Sequence, residues 1–167
     1  MLYTIISGTN RKDSNTLKIA EVYQELLKEQ GIEALLLSLV GLNTLERTAE
    51  LKDVEKKYLV PASKFVFVVP EYNGSYPGVL KALMDNSDIE KAWWGKKALL
   101  TGVSVGRAGN LRGLEHLTGV LHYLKMTVYH DKLPISVVNR LLDEQGKLTD
   151  PATLKVVRKQ LDDFIAF

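Results

Sequence analysis

Leu2-Tyr3-Thr4-Ile5-Ile6-Ser7-Gly8-Thr9-Asn10-Arg11-Lys12-Asp13-Ser14-Asn15-Thr16 is the stretch that decides the fold. An apolar run of strand length, residues 2–7, breaks at a glycine into a polar loop that leads to Ser14, a residue type that caps helices. Downstream, Ile19, Val22, Tyr23, Leu26 and Leu27 fall at i, i+3, i+4, i+7 and i+8, one helical stripe that Gly31 ends. Strand, glycine loop and helix make the first part of a right-handed βαβ unit.

The alternation recurs along the chain. Apolar runs at 34–39, 65–69, 98–103 and 126–129 read as further buried strands. Leu114, Leu117, Leu121 and Leu124 form a second helical stripe. Asp150-Pro151 caps a third, which carries Leu154, Val157, Leu161, Phe164 and Ile165. Five strands alternating with helices predict an α/β three-layer sandwich. Its parallel sheet is expected in the flavodoxin-like order 2-1-3-4-5. One domain is expected over residues 1–167, without repeat or linker. The loosest stretch is 41–63, where a polar helix from about Glu46 to Tyr58 is interrupted near Pro61.

Composition narrows the function. With 46% hydrophobic and 25% charged residues, the chain has a globular balance, and its net charge of +2 gives no electrostatic case for nucleic acid. The absence of cysteine excludes disulfides, zinc-thiolate sites and thiol redox chemistry, so redox work would need a bound cofactor. The longest near-apolar run, 34–42, falls well short of the roughly 18 residues of a membrane span, so no membrane insertion is expected. The N-terminal residues are too short an apolar run, and lack the charged flank, for a signal peptide, and a cytoplasmic location is expected.

Ligands of such sheets bind beyond the carboxyl ends of the strands. Three polar loops follow strands one, three and four, whereas strands two and five lead into plainer ones. The first loop offers hydroxyls at Thr9, Ser14 and Thr16, the Asn15 amide and the Arg11 guanidinium, then opens a helix whose free N–H groups attract an anion. That chemistry suits a phosphomonoester, although Ser14 would equally serve as an ordinary N-cap. It is neither a P-loop nor Gly-x-Gly-x-x-Gly, which argues against nucleotide hydrolysis and a Rossmann-type dinucleotide. The second loop is Pro70-Glu71-Tyr72-Asn73-Gly74-Ser75, with Pro77 suited to the first turn of the next helix. Its backbone could read the edge of a flat heterocycle, with Tyr72 adding aromatic surface. The third, Ser104-Val105-Gly106-Arg107, overlaps Gly102-x-Ser104-x-Gly106, the pattern of a hydrolase nucleophile elbow. A serine hydrolase would need an acid and then a histidine after Ser104, but His116, His122 and His130 all precede Asp131, leaving only Glu115 as the acid. The three histidines lack metal-ligand spacing, and no metal is expected.

Together the three loops resemble the NADPH-dependent FMN reductase family of flavodoxin-like quinone, azo and flavin reductases. The family motif Gly-Ser-x-Arg-x-x-Ser appears as Gly8-Thr9-Asn10-Arg11-Lys12-Asp13-Ser14, with threonine for the first serine. The second motif, Pro-Glu-Tyr-Asn-x-Ser-x-Pro-Gly-x-Leu-Lys, runs unbroken from Pro70 to Lys81. The family's next segment, Asn-Ala-Ile-Asp-Trp, is replaced by Ala82-Leu83-Met84-Asp85-Asn86. The resemblance implies that Thr9, Arg11, Ser14, Asn15 and Thr16 hold the FMN phosphate. Pro70, Glu71, Tyr72, Asn73, Gly74 and Ser75 would line the isoalloxazine, and Ser104, Val105, Gly106 and Arg107 would approach its other side. It also implies hydride transfer from NADPH or NADH through FMN to a quinone, azo dye, free flavin or metal oxyanion, with no catalytic side chain because the flavin carries the chemistry. A homodimer or homotetramer is implied as well. Met84, Leu111, Val120 and Tyr123, off the main helical stripes, are the apolar residues expected to be exposed at its interface. The alternative is a non-enzymatic FMN electron carrier, although such flavodoxins are typically strongly acidic and this chain is not.

Overall fold

The computed structural model describes residues 2–167. Strands β1 (Tyr3–Ser7), β2 (Ala34–Ser38), β3 (Lys64–Pro70) and β4 (Lys97–Val103) lie parallel in the order β2-β1-β3-β4. The fifth position holds two short pieces. β5 (Thr127–Val128) pairs with the start of β4, and β6 (Leu133–Ile135) pairs with its end, both parallel. The expected order 2-1-3-4-5 is present, but the last strand is broken at residues 129–132.

Alternation along the strands builds the two cores. On β3, Phe65, Phe67 and Val69 face one side while Val66 and Val68 face the other, because successive side chains point to opposite faces. Behind the first set pack α3 (Gly78–Asn86), the short α4 (Ile89–Ala92) and α5 (Leu111–Tyr123). Behind the second pack α1 (Asn15–Glu29) and α6 (Pro151–Ala166). The predicted stripes are the buried ones: Leu114, Leu117 and Leu121 on α5, and Ile19, Tyr23, Leu26 and Leu27 on α1. Trp93 is fully buried against Phe65 and Phe67, its indole donating to Ser87 Oγ at 2.8 Å.

The loose segment becomes α2 (Ala49–Val54), capped by Thr48, which widens into a π-helical turn at Glu55–Leu59. Glu55 is buried there and is held bidentate by Arg47 at 2.9 and 3.0 Å. The Asp88 backbone N–H also donates to it, tying the segment to the α3–α4 junction. Pro77 stands one position earlier than expected. It is the N-cap of α3, with ψ of 141°, rather than a first-turn residue.

Candidate functional site

Each of the three loops is shaped by its own local chemistry. In the first, Ser14 caps α1 by accepting from Leu17 N at 3.1 Å, and its backbone carbonyl takes Leu17 and Lys18. The N–H groups of Asn15 and Thr16 are left without an intrahelical acceptor, and the Ser14 hydroxyl proton remains available. The ordinary N-cap and the anion cradle are therefore the same structure. Arg11 and Lys12 stand exposed beside it, and neither has a carboxylate within ion-pair distance among the described residues.

In the second loop, Asn73 and Gly74 have φ of 52° and 79°, and Tyr72 and Ser75 exchange backbone hydrogen bonds of 2.8 and 3.1 Å. This is the two-residue turn that Asn-Gly favours. Asn110 buttresses its base by donating to Val69 O and Pro70 O at 3.0 and 2.9 Å. In the third loop the Ser104 hydroxyl donates to Gly106 O at 3.0 Å and accepts from Gly109 N at 3.1 Å. It is spent on closing the turn, and no histidine is bonded to it. Gly102 is required behind this loop because a Cβ there would run into Gly109 O.

The loops meet in one open cleft of about 600 Å³ at the carboxyl end of the sheet. Of the residues singled out from sequence, Arg11, Ser14, Asn15, Thr16, Pro70, Glu71, Tyr72, Asn73, Gly74, Ser104, Val105 and Gly106 line it. Three do not. Thr9 is buried behind the wall, its hydroxyl bonded to that of Tyr72. Ser75 turns outward to His116 Nδ1 at 2.9 Å, and Arg107 stands exposed past the rim.

Lys12, Asp13, Val103 and Val138 complete the lining. Val138 corrects the expectation that the fifth strand leads into a plain loop. The segment after β6 docks on the third loop, with Val137 N donating to Gly106 O at 3.0 Å and Val138 N to Ser104 O at 3.1 Å. Val137 takes a left-handed φ of 45°, costly for a β-branched residue, and so turns Val138 toward the cleft. No local signal in the sequence marks this, since a Val-Val pair favours strand.

The helix N–H groups without an intrahelical acceptor, with Arg11 and Lys12 beside them, suit an anionic group. In the same cleft the polar-edged backbone of the second loop, the Tyr72 ring and apolar valines suit a flat ring system. The family model for NADPH-dependent FMN reductase matches residues 1–139. The chain belongs to this family. The 2-hydroxy-1,4-benzoquinone reductase of a Burkholderia species is 30% identical over 116 residues, 67% of this chain and 63% of that protein. The NAD(P)H-dependent FMN reductase PA1204 of Pseudomonas aeruginosa is 34% identical over 103 residues, 60% of this chain and 56% of that one. The matched segments thus span less than two thirds of either relative. In structure, the chain is similar to FerB, the flavoenzyme NAD(P)H:(acceptor) oxidoreductase of Paracoccus denitrificans. The TM-score is 0.84 at 23% identity, covering 99% of this chain and 94% of that one. The fold is flavodoxin-like.

Proposed function

We propose that the three-loop cleft binds FMN and that the chain is an NAD(P)H-dependent oxidoreductase acting on small-molecule acceptors. The observation that carries this is the α1 N-terminus. Ser14 with its free hydroxyl proton, Asn15 and Thr16 with their free N–H groups, and Arg11 and Lys12, which have no carboxylate partner among the described residues, line the same cleft as Tyr72, Val103 and Val138. A terminal phosphate, as FMN carries, suits the helix N-terminus in that cleft.

The residues divide the work. Ser14, Asn15 and Thr16 hold the phosphate through hydrogen bonds that strengthen with its charge. The backbone of Pro70 to Gly74 would hold the polar edge of the ring system, and Val103 and Val138 would exclude water from its apolar part. Bound FMN would supply the hydride chemistry, so no side-chain nucleophile or metal is called on. NADPH or NADH is the reductant. The quinone reductases among the relatives make quinones the favoured acceptor class, with azo dyes, free flavins and metal oxyanions as further candidates. Steady-state oxidation of NADPH and NADH by the FMN-loaded protein, with and without a quinone, tests this. Turnover with quinone is expected. Reduction without turnover would instead assign an electron carrier.

A homodimer is part of the same reading. A groove of about 600 Å³ runs between α3 and α5, lined by Met84, His116, Val120 and Tyr123 among others. Tyr123 is 81% exposed and Leu111 50% exposed, while Val120 is half-buried. Met84, expected to add exposed apolar surface, is instead 3% exposed and packs in the core, because the α3 stripe is wide enough to take it in.

A further inference from the structure

Tyr72 ties the second loop to the first twice over. The Arg11 guanidinium carbon lies 4.2 Å from the centre of its ring, and its hydroxyl shares a hydrogen bond with Thr9 Oγ1. Thr9 is buried, and the same oxygen accepts from Arg11 N at 3.2 Å. Arg11, Thr9 and Tyr72 therefore form a closed circuit across the cleft wall. A separation of 4.2 Å suits a guanidinium laid face-on over the ring, an arrangement that leaves its in-plane N–H donors free for another partner. No side-chain hydrogen bond of Arg11 occupies those donors among the described residues.

We propose that Arg11 and Tyr72 act as one positioning unit. The edge of the guanidinium serves the cofactor phosphate while its face fixes Tyr72, so the phosphate-binding loop sets the position of the Tyr72 ring, with Thr9 as an inter-loop latch and not a phosphate ligand. This rests on the FMN reading above. The Tyr72 hydroxyl is engaged by Thr9, yet through Arg11 this residue contributes to the preference for FMN over riboflavin. Arg11, conversely, contributes to riboflavin binding although riboflavin carries no phosphate.

The test is titration of the cofactor-free protein with FMN and with riboflavin, for the wild type, Arg11→Ala, Tyr72→Phe and Tyr72→Leu. A cation–aromatic contact of this kind corresponds to about a three- to thirty-fold effect. Y72L is expected to shrink the FMN-to-riboflavin affinity ratio by about that factor, Y72F to preserve it, and R11A to weaken riboflavin about three-fold besides its larger loss of FMN. Equal weakening of both ligands by Y72L, or unchanged riboflavin affinity in R11A, overturns the coupling. Binding of neither ligand by the wild type overturns the cofactor reading itself. A readout without cofactor is the urea midpoint of R11A, Y72L and the double variant. Non-additive losses support the unit, and additive losses overturn it.

Discussion

Gln160 Nε2 donates to Asp131 O at 2.8 Å, across the break between β5 and β6. Its Oε1 accepts from Tyr23 Oη at 2.6 Å, and Nε2 also reaches Leu100 O at 3.2 Å. A fully buried side chain on α6 thus satisfies the backbone where the last strand is interrupted. That interruption is what lets β6 and Val138 reach the cleft. Gln160→Leu leaves Asp131 O and part of the Tyr23 hydroxyl unsatisfied, and is expected to cost about 2–4 kcal/mol. Urea unfolding measures it, and Tyr23→Phe combined with Gln160→Leu is expected to lose less than the sum of the two.

Stability is expected to rise with pH between about 8 and 10. Lys96 is half-buried, with Nζ donating to Leu59 O at 2.6 Å and Val60 O at 3.0 Å, and burial lowers its pKa to about 8. Lys64, donating to Phe164 O and Ile165 O, is lowered too, by burial and then by Lys97. In this window the unfolded chain holds protons that the folded chain has released, so unfolding becomes harder as pH rises. Tyr23 sets the upper bound. Burial raises its pKa, so above about 10 the unfolded tyrosine ionises first and stability falls. Lys96→Met should flatten the rise seen in urea midpoints from pH 8 to 10. An unchanged slope would show that Lys96 is not the group involved.

Ser104→Ala is expected to leave NAD(P)H oxidation largely intact and to lose about 0.5–1.5 kcal/mol of stability, since the hydroxyl only closes its own turn. Assay of a simple ester with both proteins checks the other side. Hydrolysis that disappears in the variant would restore a nucleophilic role for this serine.

Tyr123→Glu places a charge on the exposed face of α5 and is expected to convert a dimer to a monomer in light scattering at micromolar concentration. A wild-type chain that is FMN-loaded, active and monomeric would contradict the dimer.

Much of the fold was legible because its determinants are local. Ser14 with the Ile19 to Leu27 stripe fixed α1, and Asp150-Pro151 opened α6 as expected. Asn73-Gly74 carries its turn in the dipeptide itself. What escaped was set by tertiary contacts. Leu133-Pro134-Ile135 is too short and proline-broken to read as a strand, and it exists because β4 and the third loop receive it. The π-turn at Glu55 follows from a buried carboxylate whose partners, Arg47 and Asp88, lie in separate segments. Thr9 had the right chemistry for a phosphate ligand, but only the packed structure shows its hydroxyl committed to Tyr72.

Equilibrium titration of the cofactor-free protein with FMN and, separately, with FAD tests the central claim most directly. The cleft built on Ser14, Asn15 and Thr16 predicts saturable binding of one FMN per chain, with FAD weaker. Failure to bind FMN, or tight FAD binding without affinity for FMN, would contradict it.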